Sequence, residues 1–268
     1  MNQQQLDQLR SWFDGYVAAF CGRDPYVDTH LQLKYHHSLR TAGESRMLAK
    51  QLRWDGPQCL LAETIGLLHD VGRFEQFVRY RTYSDLVSID HSTLGVEVLQ
   101  RAGPLGVLAL HEQDQIQTAI RYHSRMELPS DLDGPALPHC QLIRDADKLD
   151  IFYIVVDNYR QLAVDPANLK IELDLPDTPG YSPMVAEATI QGRHVDWRQL
   201  RTLNDVKLMQ LGWVYDINFP AALRRIRQQK YLEQILTFLP DAEDIRRARH
   251  AVLQYADQRL AEHDGSGG

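Results

Sequence analysis

Five separate stretches place polar groups where the helical phase is apolar: His37 in "KYHHSLR", His69 and Asp70 in "LLHDVGRF", His91 in "SIDHSTLGVEVL", His123 in "AIRYHSRMELP" and Asp147 in "LIRDADKLDI". Residues three, four and seven apart share a helix face. On that rule Ile116, Ala119, Ile120 and His123 form one stripe, and Ile143, Ala146, Asp147, Asp150 and Ile154 form another. Leu33, His37, Glu44 and Leu48 follow a single track, and His91 stands one turn before Leu94 and Gly95. Taken singly, each has an ordinary explanation: a hydrogen-bonded core histidine, or an acid such as Asp147 paired with Arg144 or Lys148. Together they aim four imidazoles and two carboxylates at one interior. Burying such a set without a counter-charge costs several kcal/mol per group. One or two divalent metal ions remove that cost, because neutral imidazoles and carboxylates are the ligands such ions use. The set contains no cysteine, which argues against structural zinc and points to Mn²⁺, Fe, Mg²⁺, Co²⁺ or Ni²⁺, or to a catalytic zinc with open positions. His36 faces solvent by phase beside Arg40, and the other histidines have no comparable setting.

The elements that must carry these groups read almost entirely as helix. A first helix is predicted over 3–20 and a second over 31–52, with Asp55-Gly56-Pro57 closing the second and opening a third that carries Cys59 to His69 and ends near Gly72. The polar stretch "RYRTYSDLVSID" reads as a loop, and Ser88 or Asp90 as the cap of a helix over 91–101 that Gly103-Pro104 ends. Helices near 113–123 and 138–163 follow. A period-2 pattern occurs only at 168–173, inside the proline- and glycine-rich segment 164–198, which reads as a lid or an excursion. Two or three further helices fill 199–263. The expectation is an all-α fold in a single domain over residues 1–268.

Composition narrows the partners. A hydrophobic share of 44% and a charged share of 24% suit a globular chain. No run approaches the ~18–20 apolar residues of a membrane span. The first thirty residues mix acids and bases through the apolar positions and do not read as a signal peptide. Three scattered cysteines (Cys21, Cys59, Cys140) suit free thiols, and the expectation is a cytoplasmic protein without a membrane partner. A net charge of −7 ranks nucleic acid low as a partner, and "LRRIRQQK" and "IRRARH" read as solvated faces of amphipathic helices.

The order His37, His69-Asp70, Asp147 resembles the HD superfamily of metal-dependent phosphohydrolases, named for its adjacent histidine and aspartate. "KYHHSLR" looks like the first-histidine segment, "LLHDVGRF" like the HD helix and "LIRDADKLDI" like the distal aspartate helix. His91 and His123 are similar to the additional histidines of members that hold two metals. The similarity covers roughly residues 30–160. The helices after 200, including "LMQLGWVYDINF", look like the carboxy-terminal part of small stand-alone bacterial HD proteins. No "GYP" motif follows the HD pair, and Arg73 stands where an "HDxGH" variant has its second histidine. The resemblance implies an all-α helical bundle with additional C-terminal helices and a phosphate ester or anhydride as substrate. On that basis His37, His69, Asp70 and Asp147 hold one ion, and Asp70 bridges to a second held by His91 and His123. Arg73 and Lys148 are candidates for stabilising the charge of a phosphoryl transition state, with Arg125, and less so Arg79 and Arg81, on the cleft rim. Glu44 and Asp150 share faces with the ligands as acceptors, general acids or partners in a buried salt bridge.

Two rival readings use the same residues. The six-residue set also looks like the di-iron site of HD-type oxygenases that act on a small anionic alcohol. The other rival is a non-catalytic module that binds a nucleotide without turnover.

Overall fold

The computed structural model describes residues 1–164 and 175–265, and every regular element among them is helical. The period-2 stretch at 168–173, and with it part of the 164–198 segment, lies outside the described residues. The chain divides into two compact units, Met1–Asp150 and Ile151–Gly268.

In the first unit, local caps start the helices. Asn2 and Gln5 form a reciprocal capping box ahead of α1 (Gln3–Ala18). Asp24 accepts from the Tyr26 and Val27 amides and Pro25 fills the first turn, so α2 (Pro25–Gln51) begins six residues earlier than the periodicity predicts. Asp55 caps α3 (Gly56–Leu68). α4 (Val71–Tyr80) replaces part of the predicted polar loop. Gly72 is not a stop but a first-turn residue, and Val71, Phe74 and Phe77 behind it give the short helix a buried face. Asp90 caps α5 (His91–Ala102), which Gly103 closes with a left-handed residue. α6 (Leu110–Tyr122) and α7 (Ala136–Val164) follow. Phe13, Leu31, Leu68, Phe74, Phe77, Ile120 and Ile143 lie in one apolar core. Leu33, placed by phase on the inward track of α2, is 48% exposed. It sits about 200° round the helix from the buried Leu31. A Cβ on Gly66 would come within 2.8 Å of the Ala42 Cα and the Thr41 carbonyl, so the backbones of α2 and α3 touch there.

The second unit holds α8 (Pro183–Ile190), α9 (Leu203–Gly212), α10 (Pro220–Gln229), α11 (Tyr231–Leu236) and α12 (Glu243–Gly265). Four of these occupy the region read as two or three helices, because Lys230 takes a left-handed conformation (φ 55°) and splits α10 from α11. Phe152 stacks on Tyr231 with its edge against Trp213, and the Tyr159 hydroxyl donates to Gln210. Among the described residues no helix is long and apolar enough to cross a membrane.

One histidine of the first unit has a measurable consequence. His139 is 3% exposed, its Nδ1 has no hydrogen-bond partner, and its ring meets the Trp54 indole. Burial pushes its pKa down to about 4. The unfolded chain therefore binds the proton first, near pH 6.5, and stability falls as pH drops through the window from there to about 4. Between pH 7 and pH 5 the loss traceable to His139 is about 2 kcal/mol. Urea unfolding of wild type and His139→Leu should diverge by that amount over the window. Parallel pH profiles for the two proteins would refute the assignment.

Candidate metal centre

His69 and Asp70 form the junction between α3 and α4. Asp70 holds the N-cap position of α4 (φ −102°, ψ 16°), yet its side chain makes no capping bond. The carboxylate is buried and turned instead toward the histidines, beside the positive end of α4. Oδ2 lies 3.5 Å from His37 Nε2 and 3.6 Å from His69 Nε2, and accepts from Lys34 Nζ at 2.7 Å. Oδ1 lies 3.4 Å from His91 Nε2, 3.7 Å from His123 Nε2 and 3.6 Å from Arg73 Nε. Each oxygen thus faces one pair of histidines, whose Nε2 atoms are 3.2 Å apart in one pair and 3.1 Å in the other. Asp147 Oδ1 joins the first pair, 3.1 Å from His37 and 3.5 Å from His69. The groups His37–His69–Asp70 and Asp70–His91–His123 are both buried, with Asp70 common to the two.

The outer nitrogens fix the tautomers. Nδ1 of His37 donates to Asp150 at 2.6 Å, that of His69 to the Gly66 carbonyl at 2.8 Å, that of His91 to Asp85 at 2.6 Å and that of His123 to the Ile120 carbonyl at 2.7 Å. None of these oxygens has a proton to give, so each Nδ1 carries one and each neutral ring keeps a lone pair on Nε2. Four lone pairs then face one another and a carboxylate across 3.1–3.7 Å, acceptor against acceptor. A positive species between them, a proton on His37 Nε2 or a divalent ion, makes that arrangement favourable. Ligand atoms bound at about 2.1 Å to one ion lie about 3.0–3.5 Å from each other, which matches the spacing. The donor set and its geometry therefore fit two divalent ions sharing Asp70.

The electrostatics agree. Burial opposes charge on Asp70 and Asp147, but Lys34 and His69 for the first, and His37 and His69 for the second, hold both carboxyls well below the usual range. Burial and the Arg73 charge push His91 down to about 4, so its ring stays neutral at ordinary pH. Burial and Lys34 also oppose a proton on His37, but Asp147, Asp150 and Asp70 outweigh them and push its pKa up to about 10. The metal-free centre so takes up a proton, which a bound ion must displace.

Residues 35–151 match the family model of the HD domain. That segment is similar to HD domains. The matched segment contains His37, His69, Asp70, His91, His123 and Asp147, and HD domains are typical of metal-dependent phosphohydrolases. No curated protein and no solved structure matches the chain.

The matched segment brings all six of those side chains together. The other candidates are not among these inward ligands, although Arg73 and Asp150 adjoin them. Arg73 Nη1 donates to Gln76, Asp85 and the Tyr83 carbonyl, which ties the loop after α4 to the centre. Lys148 is half-buried beside Asp147. Arg125 is exposed, 3.5 Å from Asp90 at the start of α5. Arg79 pairs with Glu75, and Arg81 with Asp24. Glu44 is half-buried. Asp150 combines two of the roles considered for it, accepting from His37 and from Arg40 at 2.6 Å each. Two residues at the centre escape sequence reasoning. Asp85 orients His91 from a short 3₁₀ turn (Asp85–Val87), where no periodicity exists to point it inward. Lys34 left a signal, since it stands three residues before His37 on the same face, but a helix lysine reads first as a solvated charge.

Proposed function

We propose that the chain is a metal-dependent phosphohydrolase that cleaves a phosphate ester or anhydride of a small molecule. One observation carries the reading: Asp70 offers one oxygen to each of two histidine pairs whose lone pairs all point inward. His37, His69, Asp70 and Asp147 hold one divalent ion, and Asp70, His91 and His123 hold the other. What such ions supply when bound is Lewis acidity toward a phosphoryl oxygen and a water acidified to near-neutral pKa.

The remaining steps belong to the protein. Asp150, Asp85 and the carbonyls of Gly66 and Ile120 keep the four imidazoles in one tautomer and orientation, as outer partners of metal ligands do. Asp147, whose side chain is 20% exposed, stands at the open edge. Substrate approaches there, with Lys148 beside it and Arg125 at the rim to meet phosphate oxygens. Arg73 holds Asp85 and through it His91, and acts as a positioning residue.

Elemental analysis paired with a hydrolysis screen of bis(p-nitrophenyl) phosphate and nucleotides tests the proposal. The expected result is about two ions of manganese, magnesium, nickel or cobalt per chain together with turnover. His91→Ala and His123→Ala should each lose about one ion while keeping the fold. Unchanged stoichiometry in both variants would remove the second site. Iron in the purified protein, with oxygen consumption and no phosphoester hydrolysis, would replace the hydrolase by the oxygenase.

A further inference from the structure

Lys34 lies one residue outside the matched HD segment, one turn before His37 on α2. Its ammonium donates to Asp70 Oδ2 at 2.7 Å, the oxygen that faces His37 and His69. The side chain is 24% exposed, and its Nζ sits 5.6 Å from the centre of the Tyr83 ring. A lysine here and a divalent ion in the first site are cations competing for one carboxylate oxygen, and like charges on a shared ligand repel strongly where water is scarce. The lysine is the partner that can leave, having a flexible four-carbon stem and a partly open path to solvent.

We propose that Lys34 is an anion-recognition residue whose release is coupled to metal occupancy. It neutralises Asp70 while the centre holds no ion. Displaced when an ion binds, it presents its ammonium at the open edge to an anionic substrate, a phosphate on the hydrolase reading that this inference rests on. The coupling is reciprocal: an anion that holds Lys34 away from Asp70 tightens metal binding, and metal binding tightens the anion. A merely structural ion pair predicts neither effect.

The test is calorimetric titration of Mn²⁺ into chelator-stripped full-length protein, with and without inorganic phosphate, for wild type, Lys34→Gln and Lys34→Arg. Without phosphate, Lys34→Gln should bind Mn²⁺ about tenfold more tightly than wild type, because the competing charge is gone. Phosphate should tighten Mn²⁺ binding to wild type about tenfold, do little in Lys34→Gln, and regain much of its effect in Lys34→Arg. Unchanged or weaker Mn²⁺ affinity in Lys34→Gln, or a phosphate effect as large as in wild type, would overturn the proposal. The readout needs no turnover, so the two readings fail separately. Intact coupling in a protein that hydrolyses no phosphoester removes the hydrolase and leaves Lys34 as an anion site. Hydrolysis with coupling unaltered in Lys34→Gln removes Lys34 alone.

Discussion

Asp70→Ala protein should purify with less than about one ion per chain and hydrolyse phosphoesters at least ~10³-fold more slowly than wild type. The effect exceeds that of any other single ligand because Asp70 is the only side chain shared by both ligand groups. Without it no carboxylate faces the Nε2 atoms of His91 and His123, and the first site keeps His37, His69 and Asp147 but loses one of the two carboxylates that face both of its rings. The fold should survive, because Lys34 is partly exposed and can turn to water when its acceptor is removed. Metal linkage separates the two effects. Mn²⁺ stabilises whatever binds it by mass action, so it should raise the Tm of wild type and leave that of Asp70→Ala where it was. Asp147→Ala is the graded control, losing the first ion and keeping the second. Two ions retained by Asp70→Ala, or an equal rise in Tm with Mn²⁺, would refute the shared-ligand assignment.

The six inward groups were legible because each lies within a helix or at its end, where the adjoining apolar stripe shows which way the core is and a polar residue in line with it stands out. The same rule failed where its premise failed. Asp85 lies on a short 3₁₀ turn, so nothing periodic aimed it at His91. The loop read between residues 79 and 90 begins with the last turn of α4, hidden because glycine two residues past Asp70 reads as a terminator. Leu33 shows the opposite error: a track of four residues along α2 is broad enough to include one that faces water. Asp150 illustrates a different limit. Phase placed it on the ligand stripe, but only coordinates show that it accepts from His37 and Arg40 at once.

Gly72 exposes the backbone logic beneath the metal ligands. A Cβ built on it would lie 2.2 Å from the His91 carbonyl oxygen and 2.7 Å from the Gly95 amide nitrogen, backbone atoms that no rotamer can move aside. α4 and α5 would have to part, and the first residue of α5 is His91, whose Nε2 stands 3.4 Å from Asp70 and 3.1 Å from His123. Gly72→Ala should therefore cost about 3 kcal/mol in urea unfolding and remove one ion, leaving the site on α2, α3 and α7 filled. Gly95, directly opposite, is the control. A Cβ there would meet Gly72, Ile120 and Val71 at 3.4 Å, an ordinary contact, and the gain in helix propensity from glycine to alanine is about 1 kcal/mol. Gly95→Ala should accordingly keep both ions and match or slightly exceed wild-type stability. Two facing glycines, one intolerant and one permissive, distinguish a specific helix approach from a general demand for small residues. Equal stability and equal metal content in the two variants would show that α4 and α5 can part without moving His91.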